Sequence, residues 1–248
     1  MKDFLIAQLA VLLIFAVVIA ILLRWRWLRI HGGWLSAFLL AFMTYFVVLS
    51  HGNAWLAFMP AASELGWNWG GKFASVLYWV LLLGLLLRLK PGFQPADAGI
   101  TLRQRPGSLR PVLWAMAGFI ILQVVLTLLF PNTGKVDAET LLFQALMPGL
   151  DEEPLFRGLL LYIASLALVG RVYHLLGARL NTAGLLLVML FGLVHGIVYQ
   201  GGEWRVSLLS IALTGFYGLV LLWMRERSGS LLMPIITHNA VNLTAFLV

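Results

Sequence analysis

The sequence has no cysteine and few charged residues, and these two shortages narrow the class of protein. Without cysteine there is no disulfide framework and no thiolate to act as a nucleophile or metal ligand. Charged residues make up 11% of the chain and hydrophobic residues 61%. A soluble fold of 248 residues cannot cover that much apolar surface with so few polar side chains. The composition predicts a polytopic membrane protein and excludes secreted disulfide scaffolds, nucleic-acid-binding domains and disordered chains as primary interpretations.

Long uncharged runs along the chain have the length of membrane-spanning helices. A bilayer core of about 30 Å requires roughly 20 apolar residues in a helix. The predicted spans are residues 4–23, 34–50, 73–87, 112–130, 140–169, 182–199, 206–224 and 231–248. The third run is short, and we expect Lys72 and Arg88 at its ends to extend toward the membrane interface. The predicted fold is an all-α polytopic bundle of about eight transmembrane helices with an intramembrane polar cavity.

Basic residues are unevenly distributed between the two sides of these spans. Those after the first, third, fifth and seventh spans are Arg24, Arg26, Arg29, Arg88, Lys90, Arg103, Arg105, Arg110, Arg171, Arg179, Arg225 and Arg227. The positive-inside rule predicts that these connections are cytoplasmic. Both termini of a multi-pass protein in the cell (inner) membrane would then lie outside the cytoplasm.

Ionisable residues inside apolar runs are informative, because a charge at mid-bilayer costs roughly 2.5–3.5 kcal/mol. The first group is Asp151-Glu152-Glu153, followed by Pro154 and Arg157. On a helix, Glu153 and Arg157 can form an ion pair, whereas Glu152 points about 100° away from Glu153 and would remain a spare carboxylate. Pro154 in a first turn would place the acids near a helix N-terminus. An acidic helix start tied by one ion pair explains this segment equally well.

Two further polar groups lie in later spans. His195 is in an otherwise apolar run, where Gly192 and Gly196 would let a neighbouring helix approach closely. His238 and Asn242 share one face of the last span. Each group alone is as well explained by hydrogen bonds between helices. Together with the acids, they indicate one shared pocket. The alternative would require a separate structural reason for polar residues in each of three apolar spans.

A carboxylate and an imidazole can deprotonate a water as it attacks a carbonyl, and imidazole and amide N–H groups can donate to the developing oxyanion. That chemistry is peptide hydrolysis without a covalent intermediate. The same residues can instead hold a divalent metal such as zinc, which would activate the water. Both alternatives remain open at this point. The sequence contains no G-x-S-x-G elbow and no H-E-x-x-H motif.

Three short motifs carry a resemblance to a known family. They are Glu152-Glu153-x-x-x-Arg157, Phe191-x-x-x-His195 and His238-x-x-x-Asn242, in this order on the fifth, sixth and eighth spans. Over about residues 111–248 the chain resembles the CAAX protease and bacteriocin-processing family, the type II CAAX prenyl endopeptidase-like intramembrane proteases. The resemblance implies an all-α bundle of about eight helices with a buried cavity. Residues 1–110 would be accessory helices with a basic loop, and residues 111–248 the catalytic helical core.

The resemblance also implies a role for each motif residue. Glu152 and His195 would activate the water. His238 and Asn242 would form the oxyanion site. The supporting residues would be Glu153, Arg157 and Phe191. A metal ion, if present, would be held by Glu152, His195 and His238.

The expected partners are the lipid bilayer and a membrane-associated or lipidated peptide or protein, with no nucleic acid. Two other functions use the same polar residues. One is a noncatalytic membrane binding protein or bacteriocin-immunity protein that keeps the pocket without the reaction. The other is a transporter, which would be expected to show repeated halves. No internal repeat is visible in the sequence.

Overall fold

The computed structural model describes residues 2–55, 65–131, 134 and 136–248. The described helices are α1 Lys2–Arg24, α2 Gly32–Trp55, α3 Trp69–Leu89, α4 Leu109–Leu129, α5 Ala138–Glu153, α6 Leu161–Ala167, α7 Thr182–Gly196, α8 Leu208–Ser228 and α9 Leu232–Leu247. A π-helical turn, Pro154–Leu160, joins α5 to α6 in one continuous helical segment. A short 3₁₀ turn spans Pro95–Ala98 in the loop between α3 and α4.

Most of the helices are built from the apolar runs of the sequence. Within the described residues, α1, α2, α3, α4 and α8 are long and apolar enough to cross a membrane, and α7 and α9 are shorter apolar helices. With α5 and α6 counted as one continuous segment, the described residues contain eight helical segments, which correspond to the eight predicted spans. The predicted all-α polytopic membrane fold is confirmed, and the chain is an integral, multi-pass membrane protein.

Short antiparallel ribbons connect some of the helices, and the sequence did not predict them. In the described residues they pair β1 Leu28–Ile30 with β2 Leu168–Gly170, β3 Val172–Leu175 with β4 Ala178–Asn181, and β5 Ile197–Gln200 with β6 Glu203–Val206. The two hairpins turn at Leu176-Gly177 and Gly201-Gly202, whose four φ angles are all positive. Two-residue hairpin turns of this kind match the twist of the strands and favour glycine. Strands of three or four residues are too short to be recognised from an alternating pattern of hydrophobic and polar residues.

The chain forms two compact units. The first unit comprises Met1–Val47 and Leu160–Glu226, and the second comprises Val48–Leu159 and Arg227–Val248. In the first unit, Phe15 of α1 packs on Phe38 of α2 with ring centroids 5.8 Å apart. Burial of each such side chain contributes about 1.5–3 kcal/mol relative to exposure in water, and less relative to lipid. The second unit contains α3, α4, α5 and α9.

The start of α9 is fixed by the basic loop between α3 and α4. The backbone N–H of Leu231 donates to the carbonyl of Gly99 at 2.9 Å, and the N–H of Arg105 donates to the carbonyl of Ser228 at 2.8 Å. Gly99 has a φ of 71°, in the left-handed region that favours glycine, and it ends the 3₁₀ turn. These bonds set the position at which α9 begins, and therefore the position of His238 two turns later.

Candidate active site

The three consecutive acids lie at the end of α5. This helix continues through Pro148 and ends at Glu153, and a π-helical turn begins at Pro154. The prediction that Pro154 opens a helix and places the acids at its N-terminus is therefore wrong. Pro154 has no N–H for the carbonyl of Leu150, and the wider π-helical turn accommodates that loss while the helix continues. The acids therefore lie inside a continuous helical segment, and their buried charges require cations nearby.

Lys72 supplies positive charge to two of the acids. Its Nζ lies 2.8 Å from Oδ2 of Asp151 and 2.7 Å from Oε1 of Glu152. The side chains of Lys72, Asp151 and Glu152 are 11%, 0% and 14% exposed. The expectations that Lys72 extends to the interface and that Glu152 stays a spare carboxylate are both wrong. The ammonium turns inward because two carboxylates in a low dielectric attract it more strongly than the interface does.

The first turn of α3 is held in place, and this fixes the backbone of Lys72. The side chain of Asn68 accepts the N–H of Gly71 and caps the helix, while its amide donates to the carbonyl of Leu49 at 3.0 Å. A Cβ atom on Gly70 would lie 2.6 Å from the carbonyl oxygen of Gly52. Only glycine permits this approach of α3 to the end of α2.

Glu139, at the start of α5, ties the same region of α3 to α5. Its carboxylate accepts the backbone N–H groups of Trp67 and Gly66 and the indole N–H of Trp69, at 3.0–3.2 Å. The two indoles pack on Phe143 of α5. The hydrogen bond from the backbone N–H of Trp67, followed by that from Gly66, holds the pKa of Glu139 below its usual range. The hydrogen bonds of Glu139 therefore fix the start of α3, which carries Lys72, against α5.

Glu153 is paired with two basic side chains. Its Oε1 accepts a hydrogen bond from Nη1 of Arg157 at 2.9 Å and lies 2.7 Å from Nδ1 of His238. The predicted ion pair between Glu153 and Arg157 is thus present. An ionised carboxylate only accepts, so Nδ1 of His238 carries a proton, and Nε2 is the ring nitrogen left for chemistry. If Nε2 is also protonated, the positive ring forms an ion pair with Glu153.

Asn239 clamps α9 to α5 beside Pro148. Its side-chain oxygen accepts the backbone N–H of Gly149 at 2.7 Å, and its amide donates to the carbonyl of Leu146 at 3.2 Å. A Cβ atom on Gly149 would lie 2.6 Å from the carbonyl oxygen of Ile235. The two helices therefore touch at the backbone level. Proline inside a helix disturbs the main-chain hydrogen bonds around it, and an amide side chain from the neighbouring helix takes part in replacing them.

Asn242 lies one turn beyond His238 on α9 and is half-buried. Helical spacing places both side chains on the same face, as the sequence predicts. Both residues belong to the second unit, and the clamp at Asn239 fixes the helix that carries them.

His195 is near the end of α7, in the first unit. Its Nδ1 lies 2.7 Å from the carbonyl oxygen of Phe191, and the two rings are 4.5 Å apart. A carbonyl only accepts, so Nδ1 carries the proton, and the lone pair of the neutral ring is on Nε2. A Cβ atom on Gly192 would lie 2.7 Å from the carbonyl oxygen of Ile211 on α8. The predicted close approach at this glycine is confirmed.

The structure distributes the predicted site residues over both units. Those of the second unit are Glu152, Glu153, Arg157, His238 and Asn242, and those of the first are Phe191 and His195. Sequence reasoning missed Lys72 and Asn239. A signal for Lys72 was present, because three adjacent acids and one arginine leave an uncompensated charge that a second buried cation must balance. For Asn239, the signal was a proline-glycine pair that frees backbone groups in the middle of an apolar run.

The metal alternative requires Glu152, His195 and His238 to act as a ligand set. Among the described residues, no three His, Asp or Glu side chains are grouped so that they could hold a metal ion. The three residues of this ligand set are divided between the two units, with Glu152 and His238 in the second and His195 in the first.

Apolar helices that surround a buried cluster of carboxylates, a lysine, an arginine and a histidine define a multi-pass membrane protein with an ionisable site. Residues 136–244 match the family described as type II CAAX prenyl endopeptidase Rce1-like. The match covers less than half of the chain and includes all three motifs. It confirms the resemblance seen in the sequence, and the family it points to is one of intramembrane endopeptidases. No curated protein and no solved structure gave a significant match.

Proposed function

We propose that this chain hydrolyses a peptide bond of a membrane-associated or lipidated peptide or protein, using a water activated by Glu152 and His195. The observation that carries the proposal is the buried ionisable cluster at the end of α5, joined to His238 through Glu153. Buried ionisable groups in membrane helices are costly and mark functional sites. The family of residues 136–244 supplies the reaction type.

Glu152 and His195 share the role of general base in this proposal. The carboxylate of Glu152 accepts a proton from the water while the water oxygen attacks the carbonyl carbon of the peptide bond. The proton later passes to the leaving amine. The family motifs, rather than a distance, support assigning the step to both residues. The hydrogen bond of His195 to Phe191 supports its part, because it leaves the lone pair of the neutral ring on Nε2.

His238 and Asn242 would stabilise the oxyanion of the tetrahedral intermediate. The amide of Asn242 donates directly. Nε2 of His238 donates when the ring carries both protons, and Glu153 balances the resulting charge. Arg157 donates a hydrogen bond to Glu153 and holds its carboxylate in place. Fixed donors of this kind act without reorganisation during the reaction.

A divalent metal such as zinc is the alternative means of activating the water, with Glu152, His195 and His238 as ligands. The hydrolysis proposed here requires no metal ion. Metal analysis of the purified protein, together with activity after treatment with a chelator, separates the two mechanisms. Activity that persists without metal supports the mechanism proposed here.

The proposal also includes a location. The distribution of basic residues supports a cell (inner) membrane orientation with both termini outside the cytoplasm. A site within apolar helices suits a substrate that is itself held in the membrane. For this reason we propose a membrane-associated or lipidated substrate.

The decisive experiment compares the termini of membrane proteins and peptides in cells that carry the wild type or Glu152→Gln at matched expression. Glutamine keeps the size of the side chain and removes the base. The control is Glu203→Gln, the same substitution in the exposed strand β6. New termini that disappear only with Glu152→Gln establish proteolysis and identify substrates. Unchanged termini, with a phenotype that Glu152→Gln still rescues, would instead support a noncatalytic binding or bacteriocin-immunity role.

A further inference from the structure

The ion pairs of Lys72 connect the motif segment to a helix outside the matched residues 136–244. Lys72 lies in the first turn of α3, 80 positions before Glu152. Its ammonium contacts both Glu152 and Asp151, and Asp151 belongs to none of the three motifs. A buried lysine between two carboxylates is more than an interfacial anchor, because both partners are themselves almost completely buried.

We propose that Lys72 is a positioning residue for Glu152, holding its carboxylate where it can accept a proton from the attacking water. This inference rests on the proposed function. Lys72 acts through Glu152 and does not contact the substrate. The accessory half of the chain therefore contributes directly to the geometry of the reaction.

The geometry of α5 supports a positioning role. Adjacent helical residues point about 100° apart, so a single ammonium that bonds Asp151 and Glu152 must lie in the space between them. Bonds of 2.7 and 2.8 Å to two carboxylates leave little freedom to Nζ, and Nζ in turn restrains Oε1 of Glu152. A carboxylate held in this way needs less reorganisation before it acts as a base.

The backbone of Lys72 is restrained as well. Asn68 caps α3, and Trp69 donates its indole N–H to Glu139 at the opposite end of α5. Helix α3 is thus joined to α5 both near its start, at Glu139, and near its end, at Asp151. A flexible lysine on a mobile helix end would not position a base, but this helix end is fixed at several points.

A simpler role for Lys72 is to neutralise Asp151 for the sake of folding. Two pairs of variants separate the roles. The first pair is Lys72→Met and Lys72→Arg, which have similar reach and differ in charge. The second pair is Asp151→Asn and the double variant Lys72→Met with Asp151→Asn. In the double variant the charge of Asp151 no longer needs compensation, so the remaining effect of Lys72 is its effect on Glu152.

The measurements are kcat and KM for cleavage of a substrate identified by the termini comparison, with thermal unfolding of each purified full-length variant in detergent. We expect Lys72→Met to lower kcat by about 10²-fold, the size typical of a misplaced catalytic group, with KM changed less than about threefold. Lys72→Arg should restore most of the loss. The double variant should also be about 10²-fold slower than Asp151→Asn alone, at comparable thermal stability.

Equal kcat values for Asp151→Asn and the double variant would overturn the inference and leave Lys72 with a folding role. Complete inactivity of a folded Asp151→Asn protein would also overturn it, because Lys72 still faces Glu152 in that variant. Failure of the proposed function has a different signature. In that case the wild type and Glu152→Gln would give the same termini before any Lys72 variant is made.

Discussion

Nδ1 of His238 lies 2.7 Å from Oε1 of Glu153, although 85 positions separate the two residues in the sequence. Arg157 donates to the same oxygen from one turn further along the chain. A single buried carboxylate oxygen thus links the end of α5 to α9 and determines which ring nitrogen of His238 carries a proton. Disturbance of Glu153 is therefore expected to affect both stability and the state of the histidine.

The first prediction concerns Arg157. Replacement by Met leaves the buried carboxylate of Glu153 without its guanidinium partner, and breaking a buried pair in this way costs about 3–5 kcal/mol. Denaturation of the purified protein in detergent measures the loss. Arg103→Met, in the exposed part of the basic loop, serves as the control and should change stability by less than about 0.5 kcal/mol. Equal stability of the two variants would contradict a buried ion pair at Arg157.

The second prediction contrasts two asparagines of α9. Asn239→Ala removes the two hydrogen bonds to α5 and should destabilise the protein by about 1–3 kcal/mol. Asn242→Ala should leave stability nearly unchanged and lower kcat by about 10²–10³-fold, the cost of an oxyanion donor. Thermal unfolding and cleavage rates, measured on both variants, test the division of roles. The reverse pattern would assign the donor to Asn239.

The third prediction uses two glycines in helices. Gly149→Ala would place a Cβ atom 2.6 Å from the carbonyl oxygen of Ile235, so α9 must move. We expect a loss of about 1–3 kcal/mol, typical of overpacking. Gly84→Ala in α3 has open space around it and should gain up to about 1 kcal/mol through helix propensity. A Gly149→Ala protein as stable as Gly84→Ala would contradict the close contact of α5 and α9.

The positions of the described helical segments could be predicted from the sequence, because uncharged runs of membrane length have few alternatives. The π-helical turn could not, since the same Pro154 fits equally well in the first turn of a new helix. Helical spacing also identified the pair of Glu153 and Arg157 and the shared face of His238 and Asn242, because these depend only on local periodicity. The contacts of Lys72 and Asn239 depend on which helices are neighbours, and one sequence does not determine that.

The fourth prediction concerns the pH dependence of stability. Backbone and indole N–H groups lower the pKa of Glu139 from its usual value of 4.5 in the folded protein. The depressed pKa means that Glu139 stabilises the fold above pH 4.5, and that this contribution disappears as the pH falls through the lower folded pKa. Thermal unfolding of wild type and Glu139→Gln across this range should give curves that converge at acidic pH. A difference that grows on acidification would refute this linkage.

The fifth prediction concerns orientation. Because the chain has no cysteine, a single introduced cysteine reports its own accessibility to a membrane-impermeant maleimide. Glu203→Cys in the β5–β6 hairpin should react in intact cells, whereas Leu102→Cys in the basic loop should react only after permeabilisation. Both side chains are exposed, so a difference in labelling reflects the side of the membrane. The opposite pattern would place the termini in the cytoplasm.

The ion pairs between α3 and α5 join segments that are synthesised far apart in time. Lys72 is synthesised 79 residues before Asp151. At the start of α3, its long side chain can remain among the lipid headgroups until a partner arrives. Asp151 has a short side chain, and an unpaired charge at mid-bilayer costs roughly 2.5–3.5 kcal/mol. We therefore expect stable insertion of α5 to depend on α3 being already in the bilayer, where its lysine can neutralise the acids as they enter.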